Sequence, residues 1–74
     1  MEKIRQKLKP VKDKKALSHL ISKHKDITIS ALSIEKNWLG PNGNVPEQYR
    51  KWVLHKINQV LKIQQMEVNN AIEL

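Results

Sequence analysis

The chain contains no cysteine and no phenylalanine, only two glycines, and no apolar run that approaches a membrane-spanning length. Without cysteine there are no disulfides, no thiolate zinc ligands and no thiol nucleophile. A small secreted domain usually relies on disulfide staples, so a reducing, cytoplasmic setting is expected. Two glycines cannot build a Gly-rich phosphate loop. A bilayer-spanning helix needs about 20 predominantly apolar residues, so no membrane partner is expected. The amino-terminal stretch has no apolar core of the signal-peptide kind.

Catalytic constellations are missing as well. The seven acids are scattered and none are paired at helical spacing. His19 and His24 are five residues apart and share no helix face. Neither they nor His55 form a metal-ligand cluster. No catalytic residue, metal, cofactor or small-molecule substrate is therefore expected.

What is present is positive charge. Seventy-four residues carry fourteen Lys/Arg against seven Asp/Glu, a net charge of +7. Nine of the basic residues and two acids fall in residues 1–25, and residues 46–65 carry a further net +3. Residues 26–45 sum to −1 and residues 66–74 to −2. Clustered cations favour polyanionic partners, nucleic acid above all. A chain of this length supports one small core.

Apolar spacing predicts an all-α bundle of three to four helices. Ile4 and Leu8 lie four apart on a helix of about residues 2–9, which Pro10 ends. Asp13 is a good N-cap for a helix over 14–24, where Ala16, Leu17, Leu20 and Ile21 form the apolar stripe and Ser18 faces out. Asp26 and Thr28 offer starts for a helix over 28–39. There Ala31, Ile34 and Trp38 align, flanked by Leu32 and Leu39. Gly40-Pro41 stops that helix, because glycine suits the position after a helix and proline cannot continue one. Asn42-Gly43 signals a turn. Pro46 then opens a helix over 46–65, with Tyr49, Trp52, Val53, Ile57, Val60 and Leu61 as its apolar stripe. No strand is expected. Residues 1–65 thus read as one domain, and residues 66–74 as a tail. Ile57, Leu61, Val68 and Ile72 fall near one face, so this tail could extend the helix and join two copies of the chain.

The helix over 46–65 also carries a polar stripe. Gln48, Lys51, His55, Asn58 or Gln59, and Lys62 recur at helical spacing, with Arg50 and Lys56 beside them. Glu47 is the only acid between Val45 and Gln65, whereas an ordinary solvated face mixes both signs. Side chains of these types reach base edges and phosphate oxygens from a helix in a major groove. Trp38, Tyr49 and Trp52 could stack on unpaired bases. All three lie in apolar stripes, however, and core packing is the expected role.

The run from His24 through Ser33 (a polar link, then a helix that opens on a small polar residue) resembles a helix-turn-helix. The stretch Trp38-Leu39-Gly40 through Val45-Pro46 is similar to small phage-type repressors of the Cro and Ner kind. The resemblance spans about residues 14–62. It implies a sequence-specific double-stranded DNA-binding regulator of a phage or mobile element, dimeric and cytoplasmic or nucleoid-associated. Two registers fit. In the favoured one the last helix reads bases through Gln48, Arg50, Lys51 and His55, in the half that usually meets them. In the other, the helix over 28–39 reads through Thr28, Ser30, Ser33, Lys36 and Asn37. Lys12, Lys14, Lys15, Asn42 and Asn44 are the candidate phosphate contacts, lysine supplying affinity without sequence information. Two other function classes fit the composition: a nucleic-acid-binding module without base specificity, and a small phage-encoded inhibitor docking on an acidic protein.

Overall fold

The computed structural model describes the backbone of residues 1–73 and the side chains of residues 1–66. Its described residues are helical with irregular links and contain no strand. Helix α1 spans Glu2–Leu8, α2 Lys14–Ser22, α3 Ala31–Asn37 and α4 Arg50–Glu73, with a 3-10 turn over Glu47–Tyr49 leading into α4. The all-α architecture expected from apolar spacing is therefore present. The molecule measures 41 × 24 × 19 Å. At about 1.5 Å per residue, the 24-residue α4 accounts for most of the long axis.

Each helix boundary has a local cause. The carboxylate of Asp13 accepts a hydrogen bond from the Ala16 backbone N–H at 2.9 Å, capping α2. The start of α3 differs from expectation. Asp26 and Thr28 are both capping residue types, but it is Ser30 that caps, its Oγ accepting from the Ser33 N–H at 3.2 Å. Residues 27–30 consequently lie outside the helix. Helix α4 continues past residue 65 to Glu73, the extension that the tail could make. The side chains proposed for tail pairing, Val68 and Ile72, lie outside the described residues.

The core draws on every helix. Ile4, Leu8, Leu17, Ile21, Ile34, Val53 and Ile57 are buried, together with the linker residues Val11, Leu39 and Val45. Three expectations need correction. Ser18 is buried, because its Oγ donates to the Lys15 carbonyl at 2.7 Å and so carries no unsatisfied polar atom inward. Ala16 is exposed. Leu32 is 59% exposed, since the seven-residue α3 presents Ile34 rather than its whole apolar set to α2.

Contacts along α4 fix the directions of its neighbours. The start of α1 meets the segment just before α4, where the Val45 N–H lies 3.1 Å from Met1 Sδ and Arg5 Nη2 donates to the Gly43 carbonyl at 3.3 Å. Past the end of α1, Gln64 Nε2 donates to the Pro10 carbonyl at 2.9 Å and Gln64 Oε1 accepts from the Lys12 N–H at 3.1 Å. Helix α1 therefore runs parallel to α4. Helix α2 returns antiparallel, bringing the Ile21 carbonyl to Trp52 Nε1 at 3.1 Å. Helix α3 packs on α2.

The turn after α3 depends on both glycines, although for a different reason from the expected one. Neither has a positive φ. Each instead permits a close backbone approach: a Cβ on Gly40 would lie 2.5 Å from the Lys36 carbonyl oxygen, and one on Gly43 2.4 Å from that of Trp38.

Candidate nucleic-acid interface

Successive residues of an α-helix are rotated by about 100°. Val53 and Ile57, both fully buried, define the inward side of α4. Lys51, His55 and Lys62 fall within a narrow strip on the opposite side, with Asn58 and Gln59 flanking it, and all five side chains are exposed. The distance along the axis from Lys51 to Lys62 is about 16 Å. Helices α1 and α2 pack on the core side of α4, so this strip stands clear as a convex ridge. Gln48 is exposed in the 3-10 turn at its start.

Two cations flank the ridge, each held by a partner. Lys7 Nζ donates to Asn58 Oδ1 at 3.2 Å, bringing α1 to one side. On the other side Lys56 Nζ lies 4.5 Å from the centre of the Trp52 ring and donates to Gln59 Oε1 at 3.3 Å. Lys7 was not among the sequence candidates. Its partner is 51 positions away, and helical periodicity within α1 says only that it borders the buried Ile4–Leu8 face.

Arg50 departs from the group it was assigned to. It lies about 140° from His55 around the helix, is half-buried, and its Nε donates to the Val45 carbonyl at 3.1 Å. Its guanidinium fastens the turn before α4 rather than extending the ridge. The other reader candidates are dispersed. Thr28 and Ser30 precede α3, and the hydroxyls of Ser30 and Ser33 bond each other at 3.1 Å within the cap. Lys36 and Asn37 are exposed at the far end. The phosphate candidates also separate. Lys12 meets Gln64 and Lys14 and Lys15 open α2, whereas Asn42 and Asn44 flank Gly43 by the beginning of α1. All five are exposed.

The aromatic residues are structural. Trp38 is buried and stacks on Tyr49, with ring centres 5.8 Å apart and planes at 22°. The His24 ring stands edge-on to Tyr49 at 5.5 Å and to Trp52 at 4.9 Å. Tyr49 Oη donates to the Asp26 carbonyl at 3.3 Å. Trp52 Nε1 donates to the Ile21 carbonyl in the last turn of α2, which also accepts from the His24 N–H at 3.3 Å. This cluster joins the ends of α2 and α3 to the beginning of α4.

The links matter for the helix-turn-helix reading. Residues 23–30 separate α2 from α3, and residues 38–46 separate α3 from the 3-10 turn before α4. Both are longer than the three- to four-residue turn of that motif. No helix among the described residues is long and apolar enough to cross a membrane. No group of three or more His, Cys, Asp or Glu among them is placed to hold a metal ion. Comparison of the chain with protein-family models, with characterised proteins and with solved structures found no match.

Proposed function

We propose that the protein binds double-stranded DNA with the α4 ridge in the major groove and acts as a small transcriptional regulator. The observation that carries this reading is the acid-free, convex strip of Lys51, His55, Asn58, Gln59 and Lys62, with Lys7 and Lys56 at its sides. A major groove about 12 Å wide admits one α-helix. Asn and Gln amides match adenine, Lys matches guanine, and the flanking lysines suit the phosphates on either side. A small-molecule site would instead call for a concave surface. Gln48 and Lys51 are the base-reading candidates nearest the start of the helix. A two-fold dimer, which would double the contacts and set a half-site spacing, belongs to the same reading.

The test is a selection of duplexes from a random library, followed by mobility-shift titration against nonspecific competitor. The expected result is one enriched sequence, retained at raised salt, whose preference changes in Gln48→Ala and Lys51→Ala. A preference that changes in Ser33→Ala or Asn37→Ala instead would transfer the reading role to α3. Equal and steeply salt-sensitive binding to every duplex and to RNA would replace sequence reading with general nucleic-acid binding. Absence of binding near physiological salt would refute both.

A further inference from the structure

A second basic feature lies away from α4. Arg5 of α1, Lys9 just past its end, Lys14 at the start of α2 and Lys36 near the end of α3 surround a cleft of about 690 Å³, with Glu35 the single carboxylate among the described residues that line it. Its floor is apolar, formed by Leu8, Leu39 and Pro41. A cationic rim around an apolar floor selects an occupant that is both acidic and apolar.

We propose that residues 66–74 of a second copy of this chain fill the cleft, each chain giving its tail to the other. This goes beyond the DNA reading and does not rest on it: it names the surface that would join two chains. Charge complementarity identifies the occupant. All fourteen basic residues lie in residues 1–62, with five of the acids. Residues 63–74 contain no Lys, Arg or His, and contain Glu67 and Glu73. Met66, Val68, Ile72 and Leu74 give the same segment its apolar content. Residues 26–35 also combine two acids with apolar residues and no cation, but Ile34 of that stretch is buried in the core and Ile27 packs against it.

Among the described residues, none of α4 lines this cleft, whereas α1, which packs on α4, contributes Arg5 and Leu8 to it, with Lys9 just past its end. Gln64 is held at Pro10 and Lys12, and the helix continues from there to Glu73. Those last nine residues extend about 13 Å beyond Gln64. Reciprocal exchange uses every tail and every cleft, which closes the assembly at two chains.

The experiment is sedimentation equilibrium of the full chain without nucleic acid, over a range of concentrations, with helicity by circular dichroism as the check on folding. The wild type is expected to be a dimer. Lys9→Glu with Lys14→Glu gives a chain with an acidic cleft rim and an acidic tail. Glu67→Lys with Glu73→Lys gives one with a basic rim and a basic tail. Each double variant should weaken self-association by about tenfold or more, because reciprocal exchange reverses the charges at both clefts. Mixed together, the two variants should form a heterodimer in which both docked tails meet opposite charge. A monomeric wild type, a double variant that dimerises as tightly as wild type, or a mixture that fails to associate would each overturn the proposal. Because no DNA is present, none of these results bears on whether the α4 ridge meets DNA; they bear only on how two chains join.

Discussion

Replacing Lys51 and Lys62 together with alanine tests the ridge quantitatively. Each phosphate neutralised by a lysine contributes about 0.9 to the slope of log affinity against log salt on B-DNA. If Lys7, Lys51, Lys56 and Lys62 each neutralise one phosphate charge, whether the ammonium meets the phosphate itself or a base edge beside it, the slope is about −3.6, and a fourfold rise from about 50 to 200 mM salt weakens binding about 150-fold. Without Lys51 and Lys62 the slope falls to about −1.8, and the same rise weakens binding only about 12-fold. Fluorescence anisotropy of a labelled duplex, read at five or so salt concentrations for each protein, gives both slopes. Both side chains are exposed and lie opposite the buried Val53 and Ile57, so the variant should unfold at the parent's temperature. Lys25→Ala removes an exposed lysine in the α2–α3 link and should leave the slope unchanged. A Lys51/Lys62 variant with the parent's slope, or a Lys25 variant that loses as much, refutes the placement of DNA along α4.

The remaining predictions concern the scaffold that presents the ridge. Gly43→Ala places a Cβ against the Trp38 carbonyl oxygen at 2.4 Å. The loop must then shift, at a cost of about 1–3 kcal/mol, seen as a lowered denaturation midpoint in urea. Trp52→Phe deletes the indole donor to the Ile21 carbonyl and should cost about 1–2 kcal/mol, with faster hydrogen exchange at the end of α2. Gln64→Ala removes both bonds of the clamp on Pro10 and Lys12. These bonds are solvated, so the loss should be about 1 kcal/mol, and exchange should quicken at Val11–Asp13 first. An unchanged midpoint in Gly43→Ala would mean that the turn is looser than its backbone contacts imply.

Helical periodicity is a local property, and what it determines was legible. The Ile4–Leu8, Leu17–Ile21 and Val53–Ile57 pairs each locate a buried face, and together they make an all-α bundle. Boundaries were legible where one capping residue stood alone, as Asp13 does. They were not where Asp26, Thr28 and Ser30 competed within five residues, because the choice among them is settled by how α3 packs on α2. Gly40 and Gly43 were read as a turn correctly, but the backbone atoms that exclude a Cβ come from Lys36 and Trp38 in the folded turn. The candidate site divides along the same line. Lys51, His55 and Lys62 share a strip by spacing alone. The detachment of Arg50 depends on the Val45 carbonyl, and the arrival of Lys7 depends on Asn58. Side chains brought together from distant positions leave no periodic trace.

The design of α4 separates stability from recognition. Its inward side supplies Val53 and Ile57 to the core and, through Trp52 and Gln64, fastens α2 and the α1–α2 link. Its outward side carries side chains whose only described bonds are to flanking lysines. Burial on one face of a helix is enough to order the whole of it, so the ridge needs no packing of its own to be held straight. A helix ordered in this way loses little backbone entropy on binding, which leaves more of each contact's energy for affinity. The same division explains why cations crowd the outward side. Lys51 and Lys62, about 16 Å apart, are largely screened from one another by salt, so the fold tolerates them without gaining from them. A face selected for stability alone would have placed glutamates among them at i, i+4 spacing. The fold does not call for their absence between Gln48 and Met66, and the proposed DNA reading does.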